Sequence, residues 1–416
     1  MFQSLANKLR ESGTFCAMAV NSETVPGTRN SLTRLWNNQQ ARSVIIQIVT
    51  VTIVFALLAL ILRNVVNNLE AIGKEFSFKF LLSPAAYDIT FSPFIEYSSR
   101  STHLRAAVVG ILNTLLVAAC GIVLATVMGF LMGILRLSRK WLVNRLVYCF
   151  LEFTRNVPIL LHILFIHGII VTQLTPPRQA MNLADTFFLS NRGFYIPQPV
   201  WDPIAWIIAV VFLISVTFVF FFRRWAKKVQ DETGRVYPII WISAGVIVGA
   251  TAVAFFATGM PLSWSIPELR GFNFKGGLAI KPEFIALWLA LSYYTSCFIA
   301  EIVRAGILAV SYGQTEAAAA LGLTRNRTLQ LIVIPQAIRV IVPPLASQYL
   351  NITKNSSLAI AIGYMDVVAT VGGITLMQTG KEMETMIIVL LTYLVISLVI
   401  SGFMNWFNKK TALVER

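Results

Sequence analysis

The chain has 416 residues, 56% of them hydrophobic and only 13% charged, with a formal net charge of +15. Soluble globular chains carry about a quarter charged residues, so this composition excludes a disordered chain and argues against an ordinary soluble multidomain enzyme. The run 44–62, VIIQIVTVTIVFALLALIL, contains no charge, and at 1.5 Å per residue it is roughly 28 Å long, about the hydrocarbon thickness of a bilayer. A polytopic membrane protein is expected.

The first 43 residues are polar, and the apolar run that follows is too long for the core of a secretory signal. No signal peptide is expected, and the run should remain as an anchor. Eight spans are predicted, near 44–62, 107–135, 146–173, 203–222, 237–258, 284–306, 336–356 (interrupted) and 386–406. The segments sharing a side with the N-terminus then hold 20 Lys and Arg against 6 acids. The opposite segments hold 11 against 11. The positive-inside rule therefore places both termini in the cytoplasm, and the basic excess needs no nucleic-acid partner.

The second span carries Gly121, Ala125, Gly129 and Gly133 at four-residue intervals, a stripe on which another helix can approach closely. Cys120, Cys149 and Cys297 lie within or beside apolar spans, and with Cys16 they form no CxxC pair, so they are expected to act as small packing residues. His162 and His167 are five apart, which turns them about 140° from each other and gives no helical metal pair. There is no GxxxxGK[ST] loop to hold a nucleotide. No catalytic, metal or cofactor-binding residue is expected.

The loop 311–335, SYGQTEAAAALGLTRNRTLQLIVIP, is the informative stretch. Thr315–Leu321 reads as a short helix, Gly322 is placed to end it, and Pro335 is placed to open the next element. Such a helix on the cytoplasmic face is either a docking element or a plain connector. Glu301 and Arg304, and likewise Glu152 and Arg155, are spaced to pair near the membrane surface, which suits a structural role or a gating one. The stretch from Pro343 and Pro344 to Lys354 predicts a helix interrupted by prolines and ending in polar residues. A Lys at that depth should face a cavity or a partner, unless the span ends earlier and the side chain snorkels outward.

These residues carry a family resemblance. Glu316-Ala317-Ala318, Gly322, Ile332, Ile334 and Pro335 match the EAA signature of ABC importer permeases, with Ile334 where the family more often has Leu. Glu301-Ile-Val-Arg304-Ala-Gly306 upstream and Gly313-Gln314 at the entry resemble the polar-amino-acid branch. So do Lys354-Asn355-Ser356-Ser357-Leu358, Glu152-Phe-Thr-Arg155-Asn156-Val-Pro158 and Gly110-Ile-Leu-Asn-Thr114-Leu115. The resemblance covers about 105–173 and 282–406. The extra first span and the insertion near 203–258 are similar to the Q-type subunit of the general L-amino acid permeases.

The resemblance implies an all-α transmembrane domain of the type I ABC importer class, divided as follows. Residues 1–104 would be an N-terminus, an extra span and a periplasmic loop. Residues 105–406 would be the permease with inserted spans at 174–281, and 407–416 a tail. It implies a bacterial inner-membrane complex with a second, M-type permease, two ATPase subunits and a periplasmic amino-acid-binding protein, besides membrane lipid. ATPase coupling would fall to Gly313, Gln314, Glu316, Ala317, Ala318, Gly322 and Pro335, with Glu316 bonding into the ATPase groove or capping its own helix. The substrate path would include Asn351, Lys354, Asn355, Ser356 and Ser357. Every amino acid brings an α-carboxylate that Lys354 suits, and the family's Asp is Asn355 here. An ion-coupled secondary transporter is the competing reading; it needs a carboxylate in mid-span, and no clean span offers one. A scaffold without transport would leave the polar span unexplained.

Overall fold

A computed structural model describes residues 39–411 except Ile72 and Lys74. The segment 1–38 with Cys16 and the tail beyond Thr411 lie outside the described residues. The chain divides into two units, Met1–Phe76 and Ser77–Arg416. In the first, α1 (Gln39–Ala71) contains the charge-free run. Its 33 residues give roughly 50 Å of helix, more than a bilayer core requires.

The second unit holds α2 (His103–Leu135), α3 (Trp141–Asn156), α4 (Ile159–Gln173), α5 (Trp206–Thr233), α6 (Ile239–Ala257), α7 (Pro282–Leu308), a short α8 (Tyr312–Ala320), α9 (Ile334–Asn355) and α10 (Glu382–Thr411). Among the described residues seven helices are long and apolar enough to cross a membrane, or eight if the bent pair α3–α4 counts as one. The loop before α2 packs on the bundle: Ala85 and Ile89 cluster with Ala106 and Val109.

The small-residue stripe of α2 meets α7. A Cβ added to Gly129 would lie 2.5 Å from Ile299 Cγ2, and one on Gly133 would lie 2.8 Å from the Ala300 carbonyl oxygen. Nothing larger than glycine fits at those two crossings without movement of the partner. Ile299, Val303, Ile341, Leu345 and Ile352 then close the core between α2, α7 and α9.

Two expectations need correction. The predicted span 146–173 is not one rod: it bends by 103° between α3 and α4. Val157 is extended (φ −101°, ψ 132°) ahead of Pro158, whose ring removes the N–H that would have bonded the Thr154 carbonyl. The buried His162 ring takes that carbonyl instead, at 3.1 Å from Nε2. Second, Pro343 and Pro344 do not interrupt α9, which runs unbroken to Asn355 before a 3-10 turn at Ser356–Ile362. Both prolines lie on its exposed face.

The outer loops also hold short strands. Their strands form a sheet of order β1-β2-β3-β8: β1 (Met181–Leu183), β2 (Phe187–Ser190), β3 (Gly193–Ile196) and β8 (Leu278–Ile280). Beside it β4 (Gln198–Trp201) pairs with β5 (Leu262–Ser265), and β6 (Glu268–Arg270) with β7 (Asn273–Lys275). The β3–β8 and β4–β5 ladders join the loop before α5 to the loop after α6, so the insertion is closed at its base. Gly193 makes this possible: at φ +131° it lets the Ile280 carbonyl approach to 2.4 Å of where a Cβ would stand.

Candidate functional site

The loop 311–335 folds as expected into a short exposed helix, starting three residues earlier than predicted. Leu323 N–H donates to the Ala318 carbonyl (3.1 Å) and Gly322 N–H to that of Ala319 (2.9 Å). These two bonds make a Schellman turn, which requires a left-handed residue, and Gly322 supplies it at φ +74°. No atom of the described residues lies within 4 Å of where a Cβ would stand at this position, so it is the backbone conformation that demands glycine.

Gly313, Gln314, Glu316 and Ala317 are exposed, while Ala318 is buried. Gln336 Nε2 donates to Gln314 Oε1 at 3.2 Å, tying α8 to the first turn of α9. Ser311 at the N-cap forms no side-chain cap bond, and Glu316 makes no ion pair among the described residues. Tyr312 and Leu321, which sequence reasoning passed over, are 75% and 80% exposed at the two ends of α8. A cavity of about 720 Å³ lined by Tyr312, Thr315, Leu323 and Arg325 lies beside the helix.

Pro335 sits in the first turn of α9, but the helical path already begins at Arg325. A π-turn at Leu329–Val333 intervenes, with Ile334 N–H reaching the Leu329 carbonyl. Widening the turn in this way lets the helix pass a proline that cannot donate.

On α9 one face stays open. Val340, Pro343, Pro344, Ser347, Asn351 and Lys354 are exposed, and they recur at helical spacing. Ser347, Asn351 and Lys354 make the C-terminal half of that face polar. Lys354 has no ion-pair partner among the described residues. Asn355 and Ser357 are half-buried, and Ser357 Oγ donates to the Lys354 carbonyl at 2.7 Å. Ser356 points the other way: it is fully buried, and its hydroxyl donates to the Thr353 carbonyl at 2.7 Å.

At the opposite end of the bundle from the sheet, Glu301 joins three helices. Its carboxylate contacts Arg136 at the end of α2, and lies 3.9 Å from both Arg155 of α3 and Arg304 of its own helix. Arg155 is also 3.6 Å from Glu152. The two pairs expected from spacing are thus parts of one cluster, and Arg136 completes it.

Sequence reasoning missed a buried carboxylate. Asp366 is fully buried between the 3-10 turn and a π-turn at Val368–Thr375. Ala369 N–H donates to its Oδ1 at 2.8 Å and Tyr393 Oη to its Oδ2 at 3.2 Å. Asn113 donates to the Phe91 and Met365 carbonyls, and Val367 N–H donates to Thr114 Oγ1. The Asp366 carboxylate thus caps the π-turn and ties it to Tyr393 of α10, while its neighbours Met365 and Val367 bond to α2. It lies outside every span, so scanning spans for charge did not find it.

Residues 232–413 match the family model for the inner membrane component of binding-protein-dependent transport systems. The general L-amino acid transport system permease protein AapQ of Rhizobium johnstonii is 44% identical over 96% of this chain and 99% of its own length. The putative amino-acid ABC transporter permease protein YhdX of Escherichia coli is 47% identical over 91% of this chain and 96% of its own. The glutamate/glutamine/aspartate/asparagine transport system permease protein BztB of Rhodobacter capsulatus is 43% identical over 92% and 97%.

Proposed function

The chain belongs to the binding-protein-dependent transport permeases, in their amino-acid branch, and from that premise we propose that it forms one half of the pore of an ATP-driven importer of L-amino acids. The observation that carries the reading is α8: an exposed helix with a left-handed glycine at its end, two large uncovered side chains and a glutamate without an ion pair among the described residues. Exposed Tyr312 and Leu321 suit an apolar groove on an ATPase subunit, which this chain does not itself provide. Two such ATPases, a second permease of the M type and a periplasmic binding protein complete the complex in the bacterial inner membrane. Both termini then lie in the cytoplasm, on the side of the basic excess.

The polar face of α9 supports the same reading. Ser347, Asn351 and Lys354 would be costly against lipid, and a second permease packed across them leaves them lining a shared path. Alternating access follows when ATP-driven closure of the ATPases shifts α8 and the two halves exchange between two packings. An ion-coupled carrier finds no support here: the relatives are named as permease components, and Asp366 is held by hydrogen bonds.

Purification of the chain from its native membrane is the direct test. An ATPase and a second permease should accompany it, and a solitary homodimer would overturn the reading. Within the complex, Gly322→Val should reduce ATP-driven uptake at least tenfold while leaving the spans folded. A β-branched residue at φ +74° opposes the Schellman turn by about 1–2 kcal/mol and lets the docking helix fray. Unchanged uptake by that variant, measured in proteoliposomes, would remove α8 from the coupling path.

A further inference from the structure

We infer that the end of the α5–α6 hairpin on the basic side of the membrane is a binding site for the headgroup of an anionic phospholipid. The 28 residues of α5 give roughly 42 Å of helix, about 12 Å more than the hydrocarbon core. Its last turns therefore stand at headgroup depth, and they carry Arg223, Arg224, Lys227 and Lys228. Gly234, left-handed at φ +73°, stops α5, and the chain returns into α6 at Ile239.

Between the two helix ends is a cavity of about 700 Å³ lined by Arg223, Lys227 and Gln230 from α5 and by Tyr237, Ile240 and Trp241 from the return. The four cations divide cleanly. Arg224 lies 4.4 Å over the Phe220 ring, and Lys228 is 3.8 Å from Glu232. Arg223 and Lys227, one helical turn apart and both on the cavity, have no ion-pair partner among the described residues.

Two uncompensated cations in one concavity suit a phosphodiester. The first ladder bond of α6 runs from Ile242 N–H to the Pro238 carbonyl, so the N–H groups of Ile240 and Trp241 have no helical acceptor and add to the positive end. The apolar wall selects a lipid over a free phosphate. Ile240 and Trp241 are 75% and 80% exposed where the cavity opens along the hairpin, as acyl chains and an interfacial indole require. The hairpin helices pack chiefly on each other, so a bound lipid would also anchor the insertion.

Native mass spectrometry of the full chain in detergent, titrated with phosphatidylglycerol, tests the site. Wild type should retain phosphatidylglycerol in preference to phosphatidylcholine. Arg223→Gln with Lys227→Gln should weaken that binding about thirtyfold, taking about 1 kcal/mol for each cation near a membrane surface. Arg224→Gln with Lys228→Gln, an equal loss of charge outside the cavity, should weaken it less than threefold. Equal losses in the two double variants would reduce the effect to diffuse attraction and overturn the site. Displacement of the lipid by millimolar inorganic phosphate would make it a soluble-anion site and overturn the lipid assignment. Equal retention of phosphatidylcholine would overturn it too. The wild-type lipid preference and the phosphate competition decide the matter even if the first double variant fails to fold.

Discussion

Lys354→Met is expected to lower uptake of every amino acid tested by at least tenfold, with the complex still assembling. Lys354 is exposed on the polar face of α9 and belongs to no hydrophobic core cluster among the described residues, so its loss leaves the core packing in place. A charge-assisted hydrogen bond to a carboxylate is worth about 1.5–3 kcal/mol, which is one to two decades in affinity. Because the α-carboxylate is common to all substrates, the loss should not depend on the side chain carried. Asn355→Asp should act differently, shifting preference from glutamate toward arginine by placing a negative charge one residue from Lys354. Uptake of radiolabelled glutamate and arginine into proteoliposomes holding the complete importer separates these effects. Full activity of Lys354→Met would mean that this side chain merely snorkels outward, and an unchanged glutamate-to-arginine ratio in Asn355→Asp would sink the charge argument. Ser356→Ala is the useful contrast. Its hydroxyl is spent on the Thr353 carbonyl inside the core, so that change should cost stability, about 1 kcal/mol, before it touches selectivity.

What could be read along the chain was whatever a few neighbouring residues decide. The charge-free run, the helix at α8, the left-handed glycine at 322 and the small-residue stripe of α2 are all local signals, and all appear in the structure. The strands escaped because they are three or four residues long and their partners are distant: Tyr195 pairs with Ala279 across the whole α5–α6 insertion. No periodicity in either loop announces such a ladder. The two proline sites show the limit from another direction. At Pro158 the chain bends by 103° and His162 takes the carbonyl the proline orphans, whereas Pro343 and Pro344 leave α9 continuous on its exposed face. A proline rule that counts lost donors cannot tell these apart without knowing what replaces the bond. Within the candidate site, the residue types at 351–357 were legible and their directions were not. A break placed at the prolines sends the polar run out of helical register, and only the unbroken α9 separates outward Asn351 and Lys354 from inward Ser356.

The cluster around Glu301 makes the largest stability prediction. Three arginines from α2, α3 and α7 converge on one carboxylate, with Glu152 as the only other acid in the group among the described residues. Glu301→Ala would leave Arg136, Arg155 and Arg304 facing one another where Arg136 is mostly shielded from water. Removing one partner of a buried ion pair costs about 3–5 kcal/mol, and partial exposure of Glu301 and Arg155 reduces that to about 2 kcal/mol here. The apparent melting temperature of the purified chain should fall by several degrees. Adding Arg136→Met to Glu301→Ala should restore most of the loss, since the double change removes the unpaired cation and leaves an apolar side chain of similar length beside Tyr148. Arg304→Met in place of Arg136→Met should restore less, because Arg304 is the more exposed and the more distant of the two. A thermal-unfolding double-mutant cycle reads all three variants. Equal rescue by the two methionines would show that bulk charge, and not the contact between α2 and α7, sets the stability of this end of the bundle.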